Sequence, residues 1–282
     1  MFSTSVSILR WQSAKVAEAI ADELAVEEPL EIRVNGRSVA VTMRTPGYDR
    51  ELAAGFLFTE GVIRSADDLL DLLVCRDLPD GQQGNIIDAQ VRRELAIDFD
   101  RLTRHVFGTS SCGLCGKATL DSVFQSTPPV DSDATFDPAV VTTLPRRIQA
   151  MQPGFDSTGG LHASALFNNE GQLRVIREDV GRHNALDKVI GHALLAGDMN
   201  KSPLRDTMLL VSGRVSFELV QKALVAGIPL IAGIGAPSSL AVECAQRGGQ
   251  TLVGFLRADR MNVYAGAKRL GLAAMAELEG VP

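Results

Sequence analysis

The period of the apolar positions changes along this chain, and the changes outline its elements. Residues Leu30 to Met43, LEIRVNGRSVAVTM, alternate apolar and polar on both sides of Asn35-Gly36. That dipeptide supplies the two positive-φ positions of a type I′ turn, so the segment predicts a β-hairpin. Beyond Pro46-Gly47, Leu52, Ala53, Phe56 and Leu57 recur at helical spacing behind a capping Asp49, and Gly61 closes the helix. Ser65 predicts the cap of a short helix over Asp67 to Val74, and Trp11 to Ala25 reads as polar and helical. Asn85 to Phe99 predicts one or two strands, followed by a hinge-like stretch rich in Gly, Ser, Thr and Cys, Gly108 to Gly116.

A Pro- and Asp-rich run, Thr127 to Pro138, reads as a connection and places a boundary between residues 1–130 and 131–282. Past it come an amphipathic segment, Ala139 to Met151, with Pro145 inside it, and a second hairpin, Ala163 to Arg177, around Asn168-Asn169-Glu170-Gly171. A helix from Asn184 to Leu195 follows. Buried β runs (Thr207 to Val211, Ile228 to Ala232, Thr251 to Leu256) then alternate with helices (Ser216 to Ala226, Ser238 to Gln246). An extended Asn262 to Tyr264 and a final helix, Lys268 to Leu278, end the pattern. Crossover helices let parallel strands neighbour one another. The expectation is an α/β chain: an N-terminal α+β portion with β-hairpins, then an α/β layer sandwich with parallel pairing.

Composition narrows the class. At 282 residues the chain has room for one large or two modest domains of about 150 residues. Apolar residues at 45% and charged residues at 22% exclude a disordered or collagen-like chain. Aromatics at 5% give little support for a surface that stacks single-stranded nucleic acid. Charge is uneven: residues 1–130 carry 13 basic and 19 acidic side chains, whereas Arg174 to Arg269 carry 13 basic and 8 acidic. The overall −6 argues against a nucleic-acid polymer as partner, and the basic later stretch favours a small anion. The start lacks a signal-peptide pattern and no apolar run reaches about 18 residues, so a cytoplasmic protein with no membrane span is expected. In that compartment Cys75, Cys112, Cys115 and Cys244 are not expected to form a structural disulfide set.

Three clusters carry candidate chemistry. In Thr109-Ser110-Ser111-Cys112-Gly113-Leu114-Cys115-Gly116-Lys117 two thiols stand three residues apart. A zinc ribbon needs a second pair, and Cys75 and Cys244 stand alone. A zinc deaminase needs Pro before the thiol pair and Glu two residues after His, where this chain has Ser111 and, in His162-Ala163-Ser164, a serine. No metal is expected. Two buried structural thiols would be the plain alternative, but the small polar flanks favour an accessible pair with Lys117 nearby to support thiolate, suited to carrying sulfane sulfur.

The second cluster, Arg177 to Lys188, is denser in polar groups than capping requires, and His183, Asn184 and Lys188 are its candidate ligand contacts. A solvated helix start with paired charges is the alternative. The third consists of turns after predicted strands: Ser212-Gly213-Arg214, the Gly233 to Ser239 turn, and Phe255-Leu256-Arg257-Ala258-Asp259-Arg260-Met261-Asn262. Turns at the carboxyl ends of parallel strands are where α/β sheets bind ligands, and Arg214, Arg257 and Arg260 suit phosphate oxygens.

The blocks RTPGYDRELAAGFLFTEGVI, SSCGLCG, STGGLHASALF, REDVGRHNALDKVIG, LLVSGRVSFELVQKAL, APSSLAVECA and GFLRADRMNVYAG run through nearly the whole chain. In them the sequence resembles the formate dehydrogenase accessory sulfurtransferases, the FdhD family. The resemblance implies a cytosolic, dimeric carrier that takes persulfide sulfur from a cysteine desulfurase. It would deliver that sulfur to the bis(molybdopterin guanine dinucleotide) molybdenum cofactor destined for formate dehydrogenase. It also implies a second domain like the three-layer α/β/α cytidine deaminase fold, Cys112 as the persulfide carrier with Cys115 as its partner, and Phe255 to Arg260 as a hold on the guanine dinucleotide.

Overall fold

The computed structural model describes residues 2–13, 18–75, 84–95, 97, 99, 129–197, 199 and 204–272. Cys112, Cys115 and the rest of the thiol stretch lie outside the described residues, as does the part beyond residue 272 of the helix expected over Lys268 to Leu278.

The chain opens with an antiparallel ribbon, β1 (Ser3–Arg10) and β2 (Glu18–Ala25), in which Ser3 faces Ala25 and Arg10 faces Glu18. The helix expected toward Ala25 is therefore a strand. Glu, Ala and Leu are good helix formers, but propensity yields to tertiary context, and the ladder offered by β1 outweighs it here. Next comes the expected hairpin, β3 (Glu28–Val34) and β4 (Arg37–Arg44), with Asn35 at φ 48° and Gly36 at φ 81° as the I′ turn requires. Helix α1 (Asp49–Thr59) follows. The helix expected over Asp67 to Val74 is also corrected. Ser65 and Asp68 close a capping box around a single 3₁₀ turn, Ala66–Asp68, and the chain leaves it as strand β5 (Leu69–Val74) against β6 (Ile86–Val91). The sheet order is β4-β3-β6-β5, and α1 packs on it through Leu52, Ala53 and Leu57 against Leu30, Ile32 and Ile87.

The connection before Pro138 is tied to the body rather than loose. Val130 N donates to Gly248 O and Phe136 N to Arg269 O, each at 2.8 Å, and the Phe136 side chain is buried. The second half runs α2 (Pro138–Gln149), α3 (Pro153–Thr158), β7 (His162–Asn168), β8 (Leu173–Asp179), α4 (Arg182–Leu195), β9 (Thr207–Val211) and α5 (Phe217–Val225). It continues with β10 (Leu230–Gly233), α6 (Ser239–Arg247), β11 (Thr251–Gly254), β12 (Asn262–Ala265) and a 3₁₀ turn, Ala267–Leu270. The strands form one sheet of order β12-β11-β10-β9-β7-β8, with β9, β10 and β11 parallel, as their crossover helices predict, and the others antiparallel.

Strand alternation assigns the two faces of this sheet. Leu209, Val211, Ile231 and Leu252 join Leu186, Val189, Leu219 and Cys244 of α4, α5 and α6. Phe167, Met208, Leu210, Leu230 and Val253 join Val141, Leu144 and Ile148 of α2 on the other face. The result is the three-layer arrangement expected. The first of these clusters continues through α1 into Ile32 and Ile87, so the division near residue 130 separates two sheets but not two cores. Among the described residues no helix is long and apolar enough to cross a membrane.

Candidate functional site

Because β9, β10 and β11 run parallel, the turns after them share one edge of the sheet, where α/β proteins place ligands. The turns are bonded to one another: Gly235 N donates to Gly213 O at 3.1 Å, Phe255 N to Gly235 O at 3.0 Å, and Leu256 N to Gly233 O at 3.0 Å. Their glycines serve this stacking. A Cβ on Gly235 would lie 2.9 Å from Gly213 O, one on Gly233 2.5 Å from Val215 Cγ2, and one on Gly254 2.7 Å from Pro237 Cδ. The small residues of these turns thus allow close approach of the neighbouring turn. At the end of β11, Phe255 takes a left-handed backbone, φ 51°, with its ring exposed.

Antiparallel β7 starts where β9 ends, which brings His162 to the same edge. Ser212 locks this corner: its Oγ accepts from Ala163 N, and its N–H donates to Ala163 O, both at 2.9 Å. The His162 ring lies over Gly213, where an added Cβ would stand 3.4 Å from Nδ1. The start of α4 adds Arg182 and His183. His183 Nε2 sits 2.6 Å from Glu218 Oε2 and 3.5 Å from Ser216 Oγ, while Arg182 Nε is buried with no hydrogen-bond partner among the described residues. Burial, reinforced by the nearby charges of Arg182 and His183 and opposed by Asp179, holds the His162 imidazole below its usual range. With Arg214, Arg257 and Arg260, these groups make the edge basic.

The expected contacts distribute unevenly. Arg214, Phe255, Arg257, Asp259 and Arg260 stand exposed at the edge, with Ser212, Gly213, His183 and Ala258 partly covered. Arg257 Nη1 donates to Ile234 O and Leu256 O, both at 2.8 Å, and its backbone N–H closes the loop onto Arg260 O. Leu256 is a correction: its side chain is fully buried in the α2-side core and offers a ligand no surface.

Asn184 and Lys188 are corrections as well. Lys188 Nζ lies 2.6 Å from Asp179 Oδ2, both side chains buried, and donates to Thr45 O at 2.9 Å. Asn184 donates to Met43 O at 2.7 Å and to Asp179 Oδ1 at 3.0 Å, and accepts from Thr42 Oγ1 at 3.1 Å. Four residues apart on α4, the two side chains share one helix face, and that face meets the end of β4 and the loop that leaves it. The excess polarity of the Arg177 to Lys188 run therefore welds the first half of the chain to the second. Sequence reasoning missed His162 as a member of the edge, because only the β7–β9 register brings it there. Glu218 was missed because a helical carboxylate carries no local signal of its partner.

The structure is thus a mixed α/β protein whose second sheet ends in a basic edge. The chain belongs to the FdhD/NarQ family, which it matches over residues 25–271. It is 53% identical over 264 residues to the sulfur carrier protein FdhD of Streptomyces avermitilis, covering 90% of this chain and 91% of that one. It is 46% identical over 276 residues to the protein of the same name from Mycobacterium tuberculosis, covering 95% and 99%. Among solved structures it resembles a formate dehydrogenase accessory protein from Desulfotalea psychrophila, with a TM-score of 0.75 and 28% identity over 96% of this chain and 100% of that one.

Proposed function

We propose that this protein is a sulfur carrier for formate dehydrogenase maturation, acting as a cytoplasmic homodimer. Cys112 receives sulfane sulfur: its thiolate attacks the terminal sulfur of a cysteine desulfurase persulfide, a new S–S bond forms, and the desulfurase cysteine leaves as thiolate. No net oxidation occurs in this step. Cys115 stands within reach in sequence, either to expel the sulfur as hydrosulfide by attacking Cys112 or to keep loading reversible. The recipient is the bis(molybdopterin guanine dinucleotide) molybdenum cofactor, whose pyrophosphates suit the basic edge.

The observation that carries this reading is the grouping of Arg182, Arg214, Arg257, Arg260 and His162 at the carboxyl edge of β9, β10 and β11, in a chain that also holds an isolated C-x-x-C. The names of the relatives support it. The test is intact-mass measurement after incubation with a cysteine desulfurase and cysteine. Gain of sulfur that dithiothreitol removes and Cys112→Ala abolishes is expected; an unchanged mass would refute transfer and leave only cofactor binding, measured with GDP.

A further inference from the structure

The first turn of α4 carries the wrong sign. A helix start holds a partial positive charge and favours acidic residues. This turn has none: it holds Arg182 and His183, and Gly181 before it provides no side-chain cap. Arg182 is partly covered, with its Nε buried, and its guanidinium makes no hydrogen bond or ion pair with a described residue. The carboxylates close by are committed elsewhere. Asp179 Oδ2 lies 2.6 Å from Lys188 Nζ and its Oδ1 accepts from Gly181 N at 2.8 Å, while Glu218 Oε2 lies 2.6 Å from His183 Nε2. A partly covered cation set against the helix dipole raises the free energy of the folded chain unless an anion joins it.

His162 shares this corner. The β7–β8 register sets it opposite Asp179, three residues before Arg182, and its ring lies over Gly213 in the turn after β9. It too is partly buried and makes no hydrogen bond with a described residue. Burial and the charges of Arg182 and His183 keep its imidazole neutral at pH 7, and a neutral ring still offers one N–H. The corner is not the Phe255 to Arg260 turn. In the sheet order β7 is followed by β9, β10 and β11, so three strand spacings, about 14 Å, separate the two places.

We infer that this corner is an oxyanion site in its own right, in which Arg182, the open amides at the start of α4 and His162 hold one phosphoryl group. The inference rests on the basic edge proposed above and divides it. One place, at Phe255 to Arg260, takes the guanine-bearing end of a nucleotide; the other takes phosphoryl oxygens alone. A guanidinium supplies paired N–H donors, a helix start supplies convergent amides, and both suit a tetrahedral oxyanion. Binding there also neutralises the misplaced charge.

The test is calorimetry on the full chain with inorganic pyrophosphate and with GDP, for the natural sequence, Arg182→Gln and Arg260→Gln. Arg182→Gln should weaken pyrophosphate about tenfold to hundredfold, while Arg260→Gln should weaken GDP and change pyrophosphate less than about twofold. Without ligand, Arg182→Gln should melt no lower than the natural chain, because it removes a charge that the helix opposes. A second titration names the source of the phosphoryl group. If pyrophosphate still binds to protein saturated with GDP, the site takes an independent anion. If GDP displaces it, the site takes the nucleotide's own phosphates, and Arg182→Gln weakens GDP too. The site is overturned if the natural chain binds no pyrophosphate at about 1 mM, if Arg182→Gln binds it equally well, or if both variants lose it alike. A lower melting temperature for Arg182→Gln would also overturn it, by making the guanidinium structural. Normal GDP binding beside any of these results leaves the cofactor reading standing. Arg182-dependent pyrophosphate binding without GDP binding leaves this site and removes that reading.

Discussion

Gly55 and Gly191 meet where α1 crosses α4, backbone against backbone. A Cβ on Gly55 would lie 1.9 Å from Asp187 O, and one on Gly191 would lie 1.8 Å from Glu51 O. In an isolated helix Gly→Ala is stabilising by about 1 kcal/mol. Here the sign reverses, because neither helix can move without opening the core shared by both halves. Gly191→Ala is expected to destabilise the protein by about 3 kcal/mol or more, read as a lower denaturant midpoint, or to prevent soluble folding. An unchanged midpoint would show that the crossing is looser than described.

A few residues along the same crossing, Lys222 Nζ lies 3.0 Å from Asp187 Oδ2 and 2.8 Å from Thr59 Oγ1, with both charges buried. Burial alone would lower the Lys222 ammonium, but the Asp187 and Glu60 carboxylates outweigh it and hold its pKa above the usual value. Removing one partner strands the other. Asp187→Asn should cost about 3–5 kcal/mol, and Asp187→Asn with Lys222→Met should recover part of that loss, measured by a double-mutant cycle in urea.

Glu51 joins the halves a third time. Its carboxylate takes a two-pronged contact from Arg177, at 2.6 and 2.8 Å, and lies 3.0 Å from His192 Nδ1. Burial would raise its pKa, yet Arg177 and His192 hold it below 4.5. Its stabilising contribution is therefore complete above about pH 4.5 and disappears as pH falls through the depressed folded-state value. Glu51→Gln should lower stability at pH 7 by about 1–3 kcal/mol and flatten the acid limb of the stability curve. A natural-sequence curve already flat below pH 4.5 would contradict this.

At the basic edge His162 is neutral at pH 7, and acidification adds a charge there. GDP affinity should rise between pH 7 and 5.5 by more in the natural protein than in His162→Gln, the nucleotide's own titration being common to both. Calorimetry across that range is the check, and parallel curves would remove His162 from the site.

Phe255 separates stability from binding. Its left-handed backbone favours glycine, and its ring is 43% exposed, so Phe255→Gly should leave stability unchanged or raise it by about 1 kcal/mol. If the ring stacks on the guanine, the same change should weaken GDP binding about tenfold. Lower stability with normal GDP affinity would reverse both assignments.

The local pattern of the chain already specified the Asn35-Gly36 hairpin, α1, and the parallel succession β9, β10 and β11, because turn residues and apolar period are written in neighbouring positions. It also singled out Arg214, Arg257 and Arg260, which sit in turns that follow buried strands. Two of the helices it predicted are strands. The segment ending at Ala25 and the one ending at Val74 have helix-compatible composition and became strands because β1 and β6 lie beside them. Side-chain fates escaped it too. Asn184 and Lys188 look like ligand groups in a list of residues, and only the approach of Met43 and Thr45 from more than a hundred positions away turns them inward. His162 joined the edge for the same kind of reason. Short-range order follows from residues within a few positions of one another, whereas which polar group faces solvent and which is sealed between layers depends on pairings that chain proximity does not encode.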